Sequence, residues 1–435
     1  MQEKQRSRAP LFLFLIALVA IAIYQHSLLL WKTDVTNISD EAAVLPTAHR
    51  DADVKKIPKQ NFNSVLQQCT TRELDILKVQ LPARHCNDTK KFPWLGKCSF
   101  SYASRCPTAS NWLGEFMDYN EDTTTFLGIS IGCNKGYDAV DTLRWGTQNV
   151  LTFDTDVFRK AKESFTSSSK EDLRCEKYNM NNDRSAKTKL VPQRIRSGEM
   201  HCVEALPSNF KTLQRTAQML NLTAQGFLIQ NVAISDTNQT IMFPKGDEVE
   251  GTENLGIEEC WEERKRRHCT PMAQLTLDSY VEKYVTSQNN IHHLSIDIEG
   301  YDAAALKGGS RVLERTEYLE FEYNWMGSWR SNRLVNIISI MEEKHNFSCY
   351  FIGNQELWRI THGCFQEHYN NKFWSNVGCV SIDRAPRLLT KMEEVFQQTL
   401  SKNVSDLNYI RMPREAARRR DVMILEIISR GLVDE

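Results

Sequence analysis

From residue 125 onward, short apolar runs of strand length alternate with stretches of helical spacing. This alternation limits the possible folds more than any other feature of the chain. Residues 126–131 read as a strand, 132–136 as a glycine-bearing turn and 138–145 as a helix. A second strand is expected at 149–153 and a third at 226–234, with 239–243 pairing beside it. Further strands follow at 293–298, 318–323, 349–352 and 377–382, and helices at 210–220, 277–285, 302–313 and 334–344. Such a succession predicts an α/β fold with a mostly parallel sheet covered by helices on both faces. Residues 159–205 are polar and read as an insertion. Residues 245–272 read as a charged loop whose Arg264-Lys-Arg-Arg-His268 run is a solvated face.

The beginning of the chain is built differently. Leu11 to Ile23 is unbroken apolar sequence, and continued to Trp31 it makes 21 residues; roughly 20 cross a bilayer as a helix. Lys4, Arg6 and Arg8 precede it, which predicts a cytoplasmic tail at 1–10, a transmembrane signal anchor at 11–31 and the remainder on the far side, a type II membrane protein. Trp31 and Lys32 offer no small-residue cleavage site, which favours a retained anchor over a cleaved signal. Residues 32–68 then read as a stem, 69–124 as a Cys-rich subdomain, 125–385 as the main domain and 386–435 as a helical extension, with a packed terminal helix at 416–432.

Twelve cysteines and the sequons at Asn37, Asn87, Asn221, Asn238, Asn346 and Asn403 fit an oxidising secretory compartment, with the Golgi as the expected residence. Pairing between sequence neighbours would join Cys69 to Cys86, Cys98 to Cys106, Cys175 to Cys202, Cys260 to Cys269 and Cys349 to Cys364, leaving Cys133 and Cys379 over. No Cys/His spacing of a zinc site is present, so no metal is expected. A net charge of -1 argues against a nucleic-acid partner.

Three segments carry chemistry. In Ile129-Ser-Ile-Gly-Cys-Asn-Lys-Gly-Tyr137 a strand runs into glycines and then a helix, a form that lets backbone approach a nucleotide. Asp154 ends the next apolar run, 18 residues after Gly136. That is about where a Rossmann fold places its ribose-binding carboxylate, although a helix cap is the plainer role for such a residue. In Leu294-Ser-Ile-Asp-Ile-Glu-Gly-Tyr-Asp302 a strand delivers Asp297 and Glu299 to its C-terminal end, on one face by strand alternation. Two such carboxylates repel, and one can acquire the raised pKa suited to proton transfer.

This third segment resembles the FkbM-type methyltransferases. The resemblance rests on Thr276-Leu-Asp-Ser-Tyr280, Ile296-Asp-Ile-Glu-Gly-Tyr-Asp302 and Leu306-Lys-Gly-Gly309. Val232-Ala-Ile-Ser-Asp236, Phe153-Asp-Thr155 and Leu319-Glu-Phe-Glu322 fall in the expected order. It implies a class I, Rossmann-like methyltransferase fold over about 125–385 that binds S-adenosylmethionine. Carried over, Gly132, Asn134 and Gly136 would meet the methionine moiety, Asp154 the ribose, and Ser235 and Asp236 the adenine. Asp297 and Glu299 would face the reaction centre, with Glu322 and His293 as further candidate bases. Ser130 departs from the pattern, standing where the family's turn opens with an acidic residue.

The expected reaction is O-methylation of a glycan or small-molecule hydroxyl in the secretory lumen. Two rival readings stand beside it. One is a lumenal glycosyltransferase using Asp154-Thr-Asp156, an Asp-x-Asp of the kind that holds a divalent metal and a sugar nucleotide. The other, motivated by Ser130, is an inactive binding protein of the same fold. Trp325 and Trp329 flank Gly327 and offer stacking surfaces for a sugar or simply packing.

Overall fold

The computed structural model describes residues 66–81, 125–149, 151–165, 195–246, 260, 268–353, 356–370, 372 and 375–407. The expected tail, anchor, terminal helix, most of the stem and Cys-rich segment, and 166–194 of the insertion lie outside the described residues. Among the described residues no helix is long and apolar enough to cross a membrane.

Eleven strands are described: β1 Thr125–Ile131, β2 Ser197–Val203, β3 Phe227–Gln230, β4 Ala233–Ser235, β5 Gln239–Pro244, β6 Cys269–Thr276, β7 His293–Ile296, β8 Tyr318–Tyr323, β9 Phe347–Ile352, β10 Leu357–Arg359 and β11 Ser375–Ser381. Eight form one sheet in the order β10-β9-β11-β8-β7-β1-β2-β3. The run from β3 through β2, β1 and β7 to β8 is parallel throughout. The last strand, β11, is wedged antiparallel between β8 and β9. The result is an α/β fold with a mostly parallel central sheet. Strands β8, β9 and β11 are buried along their whole length, because helices cover both faces. The strand order reverses between β1 and β7, and open α/β sheets bind ligands at that point, beyond the carboxyl ends of the strands.

Two expectations about strands are corrected. Residues 149 and 151–153 do not form a strand: Asn149 accepts from the Thr152 amide in a turn, and Leu151 is 88% exposed. The second strand is instead β2, drawn from within the expected insertion. Residues 226–234 divide into β3 and β4, which belong to different sheets, and β5 pairs with β6 rather than beside β3. The small sheet β4-β6-β5 has its own apolar cluster of Leu206, Ala233, Ile241, Phe243 and Met272.

The disulfides are corrected as well. Cys260–Cys269 forms as expected, but Cys133 pairs with Cys202, Cys349 with Cys379 and Cys69 with Cys364. Strand pairing within the sheet brings distant segments side by side, so sequence neighbours are poor guides. Cys349 and Cys379, for example, lie directly opposite on β9 and β11. Cys86, Cys98, Cys106 and Cys175 lie outside the described residues.

The Cys69–Cys364 bond also fixes the helix Thr71–Gln80, which opens with a Thr70/Glu73 capping box. The Gln80 amide donates to the carbonyls of Thr399 (2.8 Å) and Lys402 (3.1 Å) and accepts from Trp358 Nε1 (3.1 Å). That seats it against the helix Pro386–Leu400.

Candidate active site

At the end of β1 the chain turns through Gly132, whose φ is +81°. A Cβ there would lie 1.7 Å from the Asp297 carbonyl oxygen, so only glycine allows β1 and β7 to end side by side. The amides of Gly132 and Cys133 donate to the Val203 carbonyl, at 2.9 and 3.0 Å. Asn134, also at positive φ, donates its amide to Glu204 Oε2 (2.6 Å), and its side-chain oxygen accepts from Asn209 Nδ2 (3.1 Å). The Cys133–Cys202 disulfide covalently fastens this turn to β2.

Glu204 follows β2 directly and is buried. Its second oxygen accepts from the Leu206 amide at 2.7 Å, just before Pro207 opens the helix Pro207–Met219. Burial pushes the carboxyl up to about 7; the two amide bonds oppose this and the Asp297 charge adds to it. This residue, not Asp154, is the carboxylate at the tip of the second strand. Its signal in the sequence was an acid at Glu204 with Pro207 three residues on, opening a helix.

Strand β7 ends at Ile296, and the Asp297 amide donates to the Ile131 carbonyl at 2.9 Å. The two acids are thus not on one strand face, as alternation suggested. They sit on a turn in which Glu299 has φ +54° and Gly300 φ +93°. A glutamate in the left-handed region is strained, and such strain marks functional turns. The turn is held from outside: the Gly300 carbonyl accepts from Ser328 Oγ (2.9 Å) and the Trp329 amide (3.3 Å). Behind it Asp302 is fully buried, accepting the Glu322 amide at 3.2 Å with its other oxygen unpartnered. Burial first, then the charges of Asp297 and Glu299, raises its carboxyl well above the usual range.

These pieces meet in a cleft enclosing about 870 Å³, open to solvent. Gly132, Asn134, Glu204, Asn209, Asp297, Glu299 and Tyr301 line one part, and Val232, Ile234, Ser235, Ile241, Phe243 and Gln274 another. The lining therefore combines an acidic floor of Glu204, Asp297 and Glu299 with apolar side chains of the small sheet. Gly308 lets its helix turn come against Ser235, where a Cβ would lie 2.4 Å from the carbonyl oxygen. Leu277 packs under Gly309, and Asp278 caps the helix Ser310–Leu313 through the amides of Arg311 and Val312.

Of the residues expected in the site, Gly132, Asn134, Ser235, Asp297 and Glu299 share the cleft. Gly136, at φ +80°, serves packing instead, since a Cβ there would meet Leu213 at 2.6 Å. Asp154 is the N-cap of the helix Thr155–Glu163, accepting from the amides of Asp156 (2.9 Å) and Val157 (3.0 Å), and does not line the cleft. Asp236 is exposed beside it, 3.3 Å from Ser235 Oγ. Glu322 is buried within β8 and accepts from Asn324 Nδ2 at 2.6 Å. His293 is buried against the Tyr318 ring. Trp329 is fully buried against Phe321 and Trp325 nearly so, which makes both packing residues rather than sugar platforms.

A cleft that combines apolar side chains with several carboxylates complements a ligand that carries both a flat ring system and positive charge. The family model of the methyltransferase FkbM domain matches residues 180–349, a span that holds Glu204, Ser235, Asp297 and Glu299. No curated protein and no solved structure matches the chain.

Proposed function

We propose that this chain, which carries an FkbM methyltransferase domain over residues 180–349, is an S-adenosylmethionine-dependent O-methyltransferase. Its acceptor on this reading is a glycan or small-molecule hydroxyl, and the N-terminal apolar segment anchors it facing the secretory lumen. One observation carries the reading: the turn after β1, the tip of β2, the end of β4 and the Asp297–Glu299 turn converge on a single cleft. The donor set fits the cofactor. On this reading Glu204 would accept ribose hydroxyls, Asn134 and Gly132 would meet the amino-acid tail, and Ile241 and Phe243 would cover the adenine.

When bound, S-adenosylmethionine supplies a methyl group on a cationic sulfur. The protein's part is alignment and exclusion of water, with the carboxylate floor offsetting the cofactor's positive charge. A hydroxyl acceptor must also lose a proton, and Asp297 and Glu299 are the carboxylates in reach of the cleft to take it. The glycosyltransferase reading loses its main support, because Asp154 is committed to a helix cap.

Equilibrium binding of labelled S-adenosylmethionine, followed by label transfer to a panel of hydroxyl-bearing glycans and small molecules, tests the proposal. Micromolar binding lost in Glu204→Ala is expected. A folded protein that binds no S-adenosylmethionine would overturn it.

A further inference from the structure

The four described sequons are not equivalent. Asn238 uses both ends of its amide, accepting from the Thr276 amide at 2.7 Å and donating to Ser279 Oγ at 3.0 Å. Asn346 donates to Asp383 at 2.7 Å, and the hydroxyl of its sequon, Ser348, is fully buried against Tyr350 and Thr361. Asn403 donates to Asp406 at 3.2 Å. A sugar on any of these replaces one of the two hydrogens of an amide nitrogen already engaged in a hydrogen bond, and at Asn346 the hydroxyl of the sequon is packed away as well.

Asn221 differs. It follows the helix Pro207–Met219 at φ +53°, is exposed, and its side-chain amide makes no hydrogen bond among the described residues. Leu222 beneath it is buried, which anchors the turn, while Thr223, the hydroxyl residue of the sequon, is exposed. The helix leading to Asn221 begins at the cleft, with Leu206 and Asn209 in its lining. Its 13 residues span about 20 Å at 1.5 Å per residue. A glycan on Asn221 therefore points away from the cleft and costs no contact.

We infer that Asn221 is an N-glycosylation site of the folded protein, carrying its glycan at the end of this helix remote from the cleft. The inference rests on the lumenal placement proposed above.

The full chain, expressed in cultured eukaryotic cells, is treated with peptide N-glycosidase in ¹⁸O water, and each sequon peptide is read by mass spectrometry. The Asn221 peptide is expected to carry the isotope tag. Asn221→Gln and Thr223→Ala should each remove one glycan's worth of gel mobility and leave S-adenosylmethionine binding unchanged. An untagged Asn221 beside a tagged Asn238, Asn346 or Asn403 overturns the assignment and leaves the lumenal placement standing. No tag at any sequon overturns both.

Discussion

Glu204 concentrates the site's chemistry in one side chain. Its carboxyl is held near 7 in the folded chain against an ordinary 4.5, because burial penalises the charge. The folded state therefore holds the proton more tightly than the unfolded one. The stability this gives is complete below about 4.5 and is lost as pH rises through about 7. Glu204→Gln cannot ionise, so between pH 4.5 and 8 its unfolding free energy should gain about 3 kcal/mol on that of the parent, read from urea melts at each pH. The same substitution should weaken S-adenosylmethionine binding, and parental affinity should fall as pH drops below 7. Asp302 makes the opposite test. Its buried site favours the protonated form, so Asp302→Asn should be tolerated within about 0.5 kcal/mol at pH 7, since the new side chain still accepts the Glu322 amide. A thermal melt showing a loss several times larger would mean the group is charged.

At the level of elements, the site is a set of strand ends brought into register by glycines and one disulfide. Gly132→Ala puts a methyl group onto the Asp297 carbonyl at positive φ, and should cost more than about 1 kcal/mol of stability together with cofactor binding. A thermal melt of the variant checks the first and calorimetric titration the second. The sequence displayed much of this. The β8 strand appears where its apolar alternation places it, and the Gly132 turn and the Asp297–Glu299 turn reach the cleft as the motifs implied. The second strand was hidden by composition. Val150-Leu-Thr-Phe153 is apolar in sequence and is followed by an acid at the ribose spacing, yet its described residues 151–153 lie in a turn that buries Phe153 and exposes Leu151. Meanwhile β2 carries Glu199 and His201, polar residues atypical of a central parallel strand. His201 is accommodated in the core by the Tyr280 hydroxyl, 3.2 Å away. A strand that solvates its polar residues through a neighbouring helix shows no apolar run to find. The break of the expected 302–313 helix at Gly308 was likewise tertiary in origin, set by contact with Ser235.

Across the whole molecule, the chain's two ends of described structure are tied together. Cys69 reaches Cys364 over 295 residues, and the helix it leads packs on Pro386–Leu400. Cys69→Ser should lower stability by about 2–4 kcal/mol and expose residues 70–81 to limited proteolysis, while the distant cleft keeps its ligand affinity. The bond between Cys133 and Cys202 has a different consequence, because it joins the two strand tips that cradle Gly132 and Glu204. Backbone pairing of β1 with β2 needs no oxidant, but this rivet does. Competence should therefore arrive in two stages during refolding from the reduced chain. Circular dichroism should recover first, and the grip on S-adenosylmethionine should follow only as fast as the two sulfurs lose their protons and electrons.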